Sequence, residues 1–174
     1  MLYKKTYRIE STRHPTWNYG SNALYFVTIC TKKRRQYFGF VDNEMMILNQ
    51  QGKIAQRMWQ EIPQHFPFAR LWAYRIMPNH VHGIIEIRKR HNVETQDIAS
   101  LRGNQFGPQS RNLASIVRGY KAGVTSHIRQ FNLSFAWQPR YYDVIIRSDE
   151  AFENISQYIY NNPAGWERDR NNPI

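Results

Sequence analysis

Met77-Pro78-Asn79-His80-Val81-His82-Gly83-Ile84-Ile85 sets two histidines two residues apart at the start of a hydrophobic run. In a strand, residues i and i+2 point to the same face. The stretch therefore predicts a strand carrying two imidazoles side by side, half of a divalent-metal site. Residue types able to supply a further ligand and a nucleophile occur together in Tyr158-Ile159-Tyr160-Asn161-Asn162-Pro163.

Working outward, Pro78-Asn79 reads as a turn. Residues 68–76 alternate as a strand and would pair antiparallel with 80–88. Ala23 to Thr31 is β-branched and aromatic, a buried strand, followed by the charged turn Lys32-Lys33-Arg34-Arg35. Asp42 can cap a long helix through Met46, Leu48, Ile54, Met58, Trp59 and Ile62 that Pro63 ends, with Gly52 marking a break. Asn112 can cap a second helix to about Phe131, with Leu113, Ile116, Val117, Tyr120, Val124 and Ile128 on one face. Residues 141–147 form a fourth strand, and Ser148 caps a final helix over 149–162 that Pro163 stops.

The order β-α-β-β-α-β-α begins as the split βαβ, ferredoxin-like arrangement. The fold class is therefore α+β: an antiparallel sheet with helices on one face, plus a C-terminal helix carrying the candidate tyrosine. Residues 1–22 read as a basic, aromatic N-terminal extension, 23–166 as a single domain and 167–174 as a short tail. The polar stretch 89–111 is a long loop, a class more often functional or mobile than structural.

Charge narrows the function. Lys and Arg number 24 against 13 Asp and Glu, a net +11, which suits a polyanion: nucleic acid first, an acidic membrane surface second. Aromatics are 14% of the chain and, interleaved with Arg and Lys, can stack on unpaired bases. Trp137 and Tyr141 are candidates, with sheet packing as the alternative. The lone Cys30 excludes an internal disulfide framework and a cysteine zinc cluster. No apolar run approaches the roughly 20 residues of a membrane helix, and the N-terminus lacks a signal-peptide core. The expected setting is a reducing cytoplasm, with no membrane partner.

Two imidazoles need at least one more protein ligand to hold a catalytic metal with open positions. On the last helix Phe152, Ile155 and Ile159 form the core stripe and Tyr158 lies on its flank. Asn154 and Asn162 stand one turn to either side of Tyr158. Oxygen and nitrogen ligands suit Mg²⁺ or Mn²⁺. A phenol, with its pKa near 10, can attack a phosphodiester if a metal neutralises the phosphate and fixes it in line. The covalent product preserves the energy of the broken bond for rejoining. Tyr158 and Tyr160 are both candidate nucleophiles on opposite flanks; Tyr158 is preferred because Asn162 is its i+4 neighbour, and Tyr160 is assigned to core packing. Glu86 shares strand parity with the histidines, as an outer partner or a solvated charge. Lys32, Lys33, Arg34, Arg35, Arg118, Lys121 and Arg140 are candidate nucleic-acid phosphate contacts, with a solvated surface as the alternative.

Met77 to Ile84 resembles the His-hydrophobic-His (HUH) motif of single-tyrosine transposases. Further matching parts are Tyr25-Phe-Val-Thr-Ile-Cys-Thr31, Ile116-Val-Arg-Gly-Tyr-Lys121, Trp137-Gln-Pro-Arg-Tyr-Tyr-Asp-Val-Ile-Ile-Arg147 and Tyr158-Ile-Tyr-Asn-Asn-Pro163. The set, spanning roughly 20–166, is most similar to the REP-associated tyrosine transposases, relatives of bacterial insertion-sequence transposases. The resemblance implies metal-dependent cleavage and joining of single-stranded DNA beside an imperfect hairpin, repetitive palindromic elements above all, through a 5′-phosphotyrosine and a free 3′-OH. It matches His80 and His82 to the metal ligands, Tyr158 to the nucleophile and Asn162 to the third-ligand position, a Gln in many relatives. The tyrosine can complete its own subunit's site or that of a homodimer partner, both arrangements occurring among similar enzymes. Two other functions fit the residues: a non-catalytic hairpin-binding protein, and a metal-dependent phosphoesterase using metal-bound water.

Overall fold

The computed structural model of the chain describes residues 2–3, 6–7, 18–19, 21–89 and 111–172. The expected N-terminal extension and the 89–111 loop lie for the most part outside the described residues. Four strands form the central sheet: β1 (Ala23–Cys30), β4 (Ala69–Met77), β5 (His80–Ile87) and β6 (Tyr142–Ile146). Between β1 and β4 come β2 (Gly39–Asp42), β3 (Met45–Leu48), α1 (Gln50–Gln60) and the short α2 (Ile62–His65). The helices α3 (Leu113–Arg129) and α4 (Asp149–Asn161) precede and follow β6. The sheet order is β4-β5-β1-β6, every neighbouring pair antiparallel. This is the ferredoxin-like arrangement.

β1 and β5 are interior strands covered on both faces, which is why they read as nearly continuous apolar runs. Tyr25, Val27 and Ile29 of β1, with Val81, Ile85 and Ile87 of β5, face α1 and α3 and form the larger core. The opposite face carries a smaller cluster, Phe26, Ala73, Ile84, Ile146 and Ile159, against which Phe152 and Ile155 of α4 pack. Fully burying one such side chain contributes about 1.5–3 kcal/mol, so α4 is held by a few contacts. A register shift between Leu71 and Tyr74 in β4 leaves Trp72 and Ala73 opposite the single residue Ile84, a bulge that brings Ala73 into this second cluster.

The caps explain where the helices start. Asn49 accepts from the Gly52 amide, Asn112 and Ser115 cap reciprocally, and Ser148 accepts from the Ala151 amide. The long helix expected from Asp42 begins only at Gln50. Residues 39–48 instead form the β2–β3 hairpin, turned by Asn43 and Glu44 at φ of 45° and 60°. Positive φ at both central residues is the hairpin turn matched to strand twist. Gly52 is no break: it sits in the first turn of α1, where a Cβ would lie 2.1 Å from the Phe38 carbonyl oxygen.

Gly83 follows the two histidines because Trp59 of α1 occupies its side-chain space; a Cβ there would lie 2.2 Å from the fully buried ring. Gly83→Ala is expected to cost about 1–3 kcal/mol through overpacking, read as a lower urea midpoint. Adding Trp59→Leu should cost less on the Gly83→Ala background than on the parent. Equal costs on both backgrounds would show that the ring does not set this constraint.

Candidate active site

Strand pairing orients the histidines. His80 lies opposite Cys30 and Met77, and His82 opposite Thr28 and Arg75. Both share the face of Phe26 and Ile84, the one covered by α4. Their ring centroids are 4.3 Å apart, and the side chains are 0% and 1% exposed.

The hydrogen-bond network fixes the proton on His80. The Asn79 amide nitrogen donates to the carbonyls of Arg34 (3.0 Å) and Asn171 (2.6 Å), so Asn79 Oδ1 is an acceptor. It lies 2.8 Å from His80 Nδ1, which must be the N–H donor. His80 Nε2 is left as a buried bare lone pair without a hydrogen-bond partner. His82 Nδ1 lies 2.9 Å from Thr28 Oγ1 and its Nε2 3.3 Å from the Tyr158 hydroxyl. With Nδ1–H donated to Thr28, Nε2 accepts the phenol proton. Orienting partners of this kind are what metal-ligating histidines require. Burial keeps both rings neutral. It lowers His80 to about 3, with the Asn162 side chain offsetting part of the effect. His82 is held well below its usual value by burial, then by His80.

The C-terminal part of the chain meets this pair. Tyr158 is 45% exposed, with its ring edge-on to Phe26 at 6.2 Å and to His82 at 5.3 Å between centroids. Burial raises its pKa, and Asp169 raises it further, while Arg170 and the Asn162 side chain act oppositely. Asn162 is buried; its amide nitrogen donates to Asp169 Oδ2 at 2.8 Å and its Oδ1 has no partner. Beyond α4 the chain reverses through Pro163 to Gly165 and a 3₁₀ turn, Trp166–Arg168, which carries Asp169 back to the sheet. One nitrogen of each histidine and one carboxylate oxygen of Asp169 lie within 4.8 Å of one another. A cavity of about 320 Å³ opens here, lined by Tyr158, Asn161, Asn162, Gly165, Arg168, Asp169 and Arg170. An unprotonated nitrogen on each imidazole, a carboxylate and an orphaned amide oxygen form a mixed nitrogen and oxygen donor set for a divalent cation.

The other candidates fall outside this constellation. Asn154 is exposed. Tyr160 is not a core residue: it is 54% exposed, and its carbonyl accepts from Arg75 Nη2 at 3.3 Å. Glu86 accepts from Trp72 Nε1 at 3.0 Å and lies 3.6 Å from Arg88. Lys32, Lys33 and Arg35 are exposed. Lys33 and Arg34 hold positive φ of 54° and 52°, a conformation costing non-glycine residues on the order of 1 kcal/mol or more each. Thr31 Oγ1 secures the turn by donating to the Arg35 carbonyl at 2.7 Å, and the Arg34 guanidinium donates to the Arg170 carbonyl. Lys121 donates to the carbonyls of Gln138 and Arg140, and burial lowers it to about 8. Arg118 and Arg140 are exposed. Trp137 packs against the core and donates to the Lys121 carbonyl at 3.1 Å.

No family model matches the chain. It is 42% identical over 165 residues to an uncharacterised protein of Haemophilus influenzae, covering 92% of this chain and 91% of that one. A second Haemophilus influenzae protein, provisionally named a REP-associated tyrosine transposase, is 26% identical over 148 residues, 84% of this chain and 73% of the other. The fold matches a solved structure of a REP-associated tyrosine transposase bound to a REP hairpin, with a TM-score of 0.61 and 18% identity over 91% of this chain and 74% of that one. The chain is thus similar in sequence to a provisionally named REP-associated tyrosine transposase and shares the fold of a solved one. No described helix is long and apolar enough to cross a membrane.

Motif reading did not single out Asp169, Thr28, Arg168 or Arg170. Asp169 stands in the stretch read as a short tail, and no local pattern announces its approach to the histidines. Thr28 was findable: antiparallel pairing of β1 with β5 sets some β1 hydroxyl or thiol beside each imidazole.

The neutral histidines carry a pH signature. The unfolded chain takes up a proton at His80 near 6.5, whereas the folded chain resists until about 3, so protons favour unfolding. Stability is expected to fall as pH drops through 6.5 and to keep falling toward 3, and His80→Gln should flatten that slope. Urea midpoints across this window measure it, and an unchanged slope in the variant would remove His80 as its source.

Proposed function

We propose that this protein is a REP-associated tyrosine transposase that cuts and rejoins single-stranded DNA beside a hairpin, with Tyr158 as the nucleophile and Mg²⁺ or Mn²⁺ as cofactor. The observation carrying this reading is the 3.3 Å approach of the Tyr158 hydroxyl to His82 Nε2 within one chain, where His80 Nε2, Asn162 Oδ1 and Asp169 also meet. A site assembled from one chain works in a monomer and needs no tyrosine from a homodimer partner. The REP hairpin bound by the solved relative and the net charge of +11 support hairpin DNA, repetitive palindromes included, as substrate.

In the proposed reaction Tyr158 Oη attacks the phosphorus, forming the P–Oη bond as the P–O3′ bond breaks. The strand end leaves as a free 3′-OH, taking a proton from water, while the phenol proton passes to solvent in the open cleft. His80 Nε2, His82 Nε2, Asp169 and Asn162 Oδ1 would hold the cation, which supplies charge neutralisation of the non-bridging phosphate oxygens. Arg168 and Arg170 line the same cleft and add positive charge for the phosphate. Thr28 and Asn79 keep the imidazoles in the ligating tautomer. The 5′-phosphotyrosine keeps the energy of the diester, so an incoming 3′-OH re-forms the strand and frees Tyr158. Lys32, Lys33, Arg35, Arg118 and Arg140 are proposed to contact the flanking backbone. Lys121 and Arg34, their donors engaged with carbonyls, shape the turns that present those residues.

Incubation of hairpin-bearing single strands with Mn²⁺ should yield a covalent protein–DNA band on a denaturing gel. Tyr158→Phe should reduce the band to background while leaving binding intact. Asp169→Ala should weaken Mn²⁺ binding by at least roughly tenfold, since losing even an outer partner of a metal ligand costs that much, read by calorimetry without DNA. Full cleavage by Tyr158→Phe would transfer the chemistry to a metal-bound water. Hairpin binding with neither adduct nor cleavage would leave a non-catalytic binding protein.

Affinity should also fall steeply with salt. Six phosphate contacts would weaken binding by about 10³-fold between 50 and 200 mM salt. A flat dependence in a filter-binding assay would exclude a backbone-dominated interface.

A further inference from the structure

One row of the sheet extends the site beyond its reacting atoms. Tyr142 of β6 pairs with Thr28, which in turn pairs with His82, so all three stand on one face. With neighbouring strands about 4.8 Å apart, the Tyr142 Cα is roughly 10 Å from that of His82. β6 is an edge strand. The apolar cluster under α4 ends at Phe26 and Ile146, and Tyr142 beyond it is 42% exposed. Arg170, which lines the Tyr158 cleft, places its guanidinium 5.6 Å from the Tyr142 ring centroid. A half-exposed aromatic ring thus borders the cleft, joined to it by a cation on the side away from Arg75.

We propose that Tyr142, with Arg170 beside it, is the stacking platform for the unpaired base next to the phosphate that Tyr158 attacks. This rests on the strand-cleavage reading above. An aromatic face accepts any base, and the guanidinium that lies over the Tyr142 ring binds the adjoining phosphate or stacks with the base. Tyr142 fixes where the strand lies relative to Tyr158 and therefore which linkage is cut. It carries no part of the bond-making. A tyrosine held only by sheet packing would lose nothing that depends on a particular base.

The test uses hairpin strands enriched from a pool with randomised single-stranded flanks on Tyr158→Phe protein, which binds without cutting. 2-Aminopurine replaces each single-stranded base in turn. One position is expected to show quenched fluorescence in the complex. Tyr142→Ala and Tyr142→Leu should abolish that quenching and weaken binding on the order of ten- to a hundredfold, with Tyr142→Phe close to the parent. Urea midpoints check that each variant folds, the leucine variant keeping a side chain suited to a strand. An abasic site at the quenched position should cost the parent as much as Tyr142→Ala does and cost that variant nothing further. Parent-like binding by both Tyr142→Ala and Tyr142→Leu, or an abasic penalty undiminished in them, would overturn the proposal. An adduct formed by the unmodified enzyme together with such a result would sink the platform alone. Quenching without any adduct would sink the cleavage reading and leave the platform standing.

Discussion

β5 carries two sets of side chains with opposite demands. Val81, Ile85 and Ile87 must leave water, and they do so against α1 and α3. His80 and His82 cannot be buried as ions without large cost, yet strand alternation carries them to the other covered face. The structure reconciles the two by making the imidazoles neutral and giving each Nδ1 a polar partner, Asn79 Oδ1 for His80 and Thr28 Oγ1 for His82. What remains is a pair of buried, unprotonated nitrogen atoms facing the underside of α4. Tyr158, Asn162 and Asp169 acquire chemical meaning only because that pair exists.

The two sides of the site differ in how they are anchored. The histidines belong to the sheet and inherit its rigidity, and Gly83 between the motif and the apolar run keeps β5 close to Trp59. Tyr158 and Asn162 ride on a helix seated over a small cluster. Asp169 is held by the Asn162 amide and the Asn171 backbone. Asn79 joins the halves: its amide reaches the Arg34 turn, the tail at Asn171 and, through Oδ1, His80.

Much of this was legible in the sequence, for identifiable reasons. The strands around Val27 and Ile84 and the helix from Asn112 announce themselves through local periodicity and caps. The His80/His82 geometry follows from alternation, which one strand suffices to define. The β2–β3 hairpin was misread because Asn43-Glu44 lacks the glycine that usually marks such a turn, and because Met46 and Leu48 fit helical and strand periods equally well. The burial assigned to Tyr160 failed because α4 rests on a narrow stripe, Phe152, Ile155 and Ile159, too narrow to cover both flanks. Asp169 was invisible because its place depends on a chain reversal whose endpoint only the folded sheet defines.

That reversal separates foldedness from competence. A chain shortened just past α4 would keep the whole of the larger core, every strand of the sheet, both histidines and the phenol. It would lose the carboxylate, two arginines of the cleft and the Asn171 carbonyl that helps set the Asn79 amide. Such a protein would pass ordinary tests of a native state while lacking the acid beside its imidazoles. Length variation among natural versions of this protein, confined to its last dozen or so residues, would then alter the surroundings of the two imidazoles with little effect on thermal resistance.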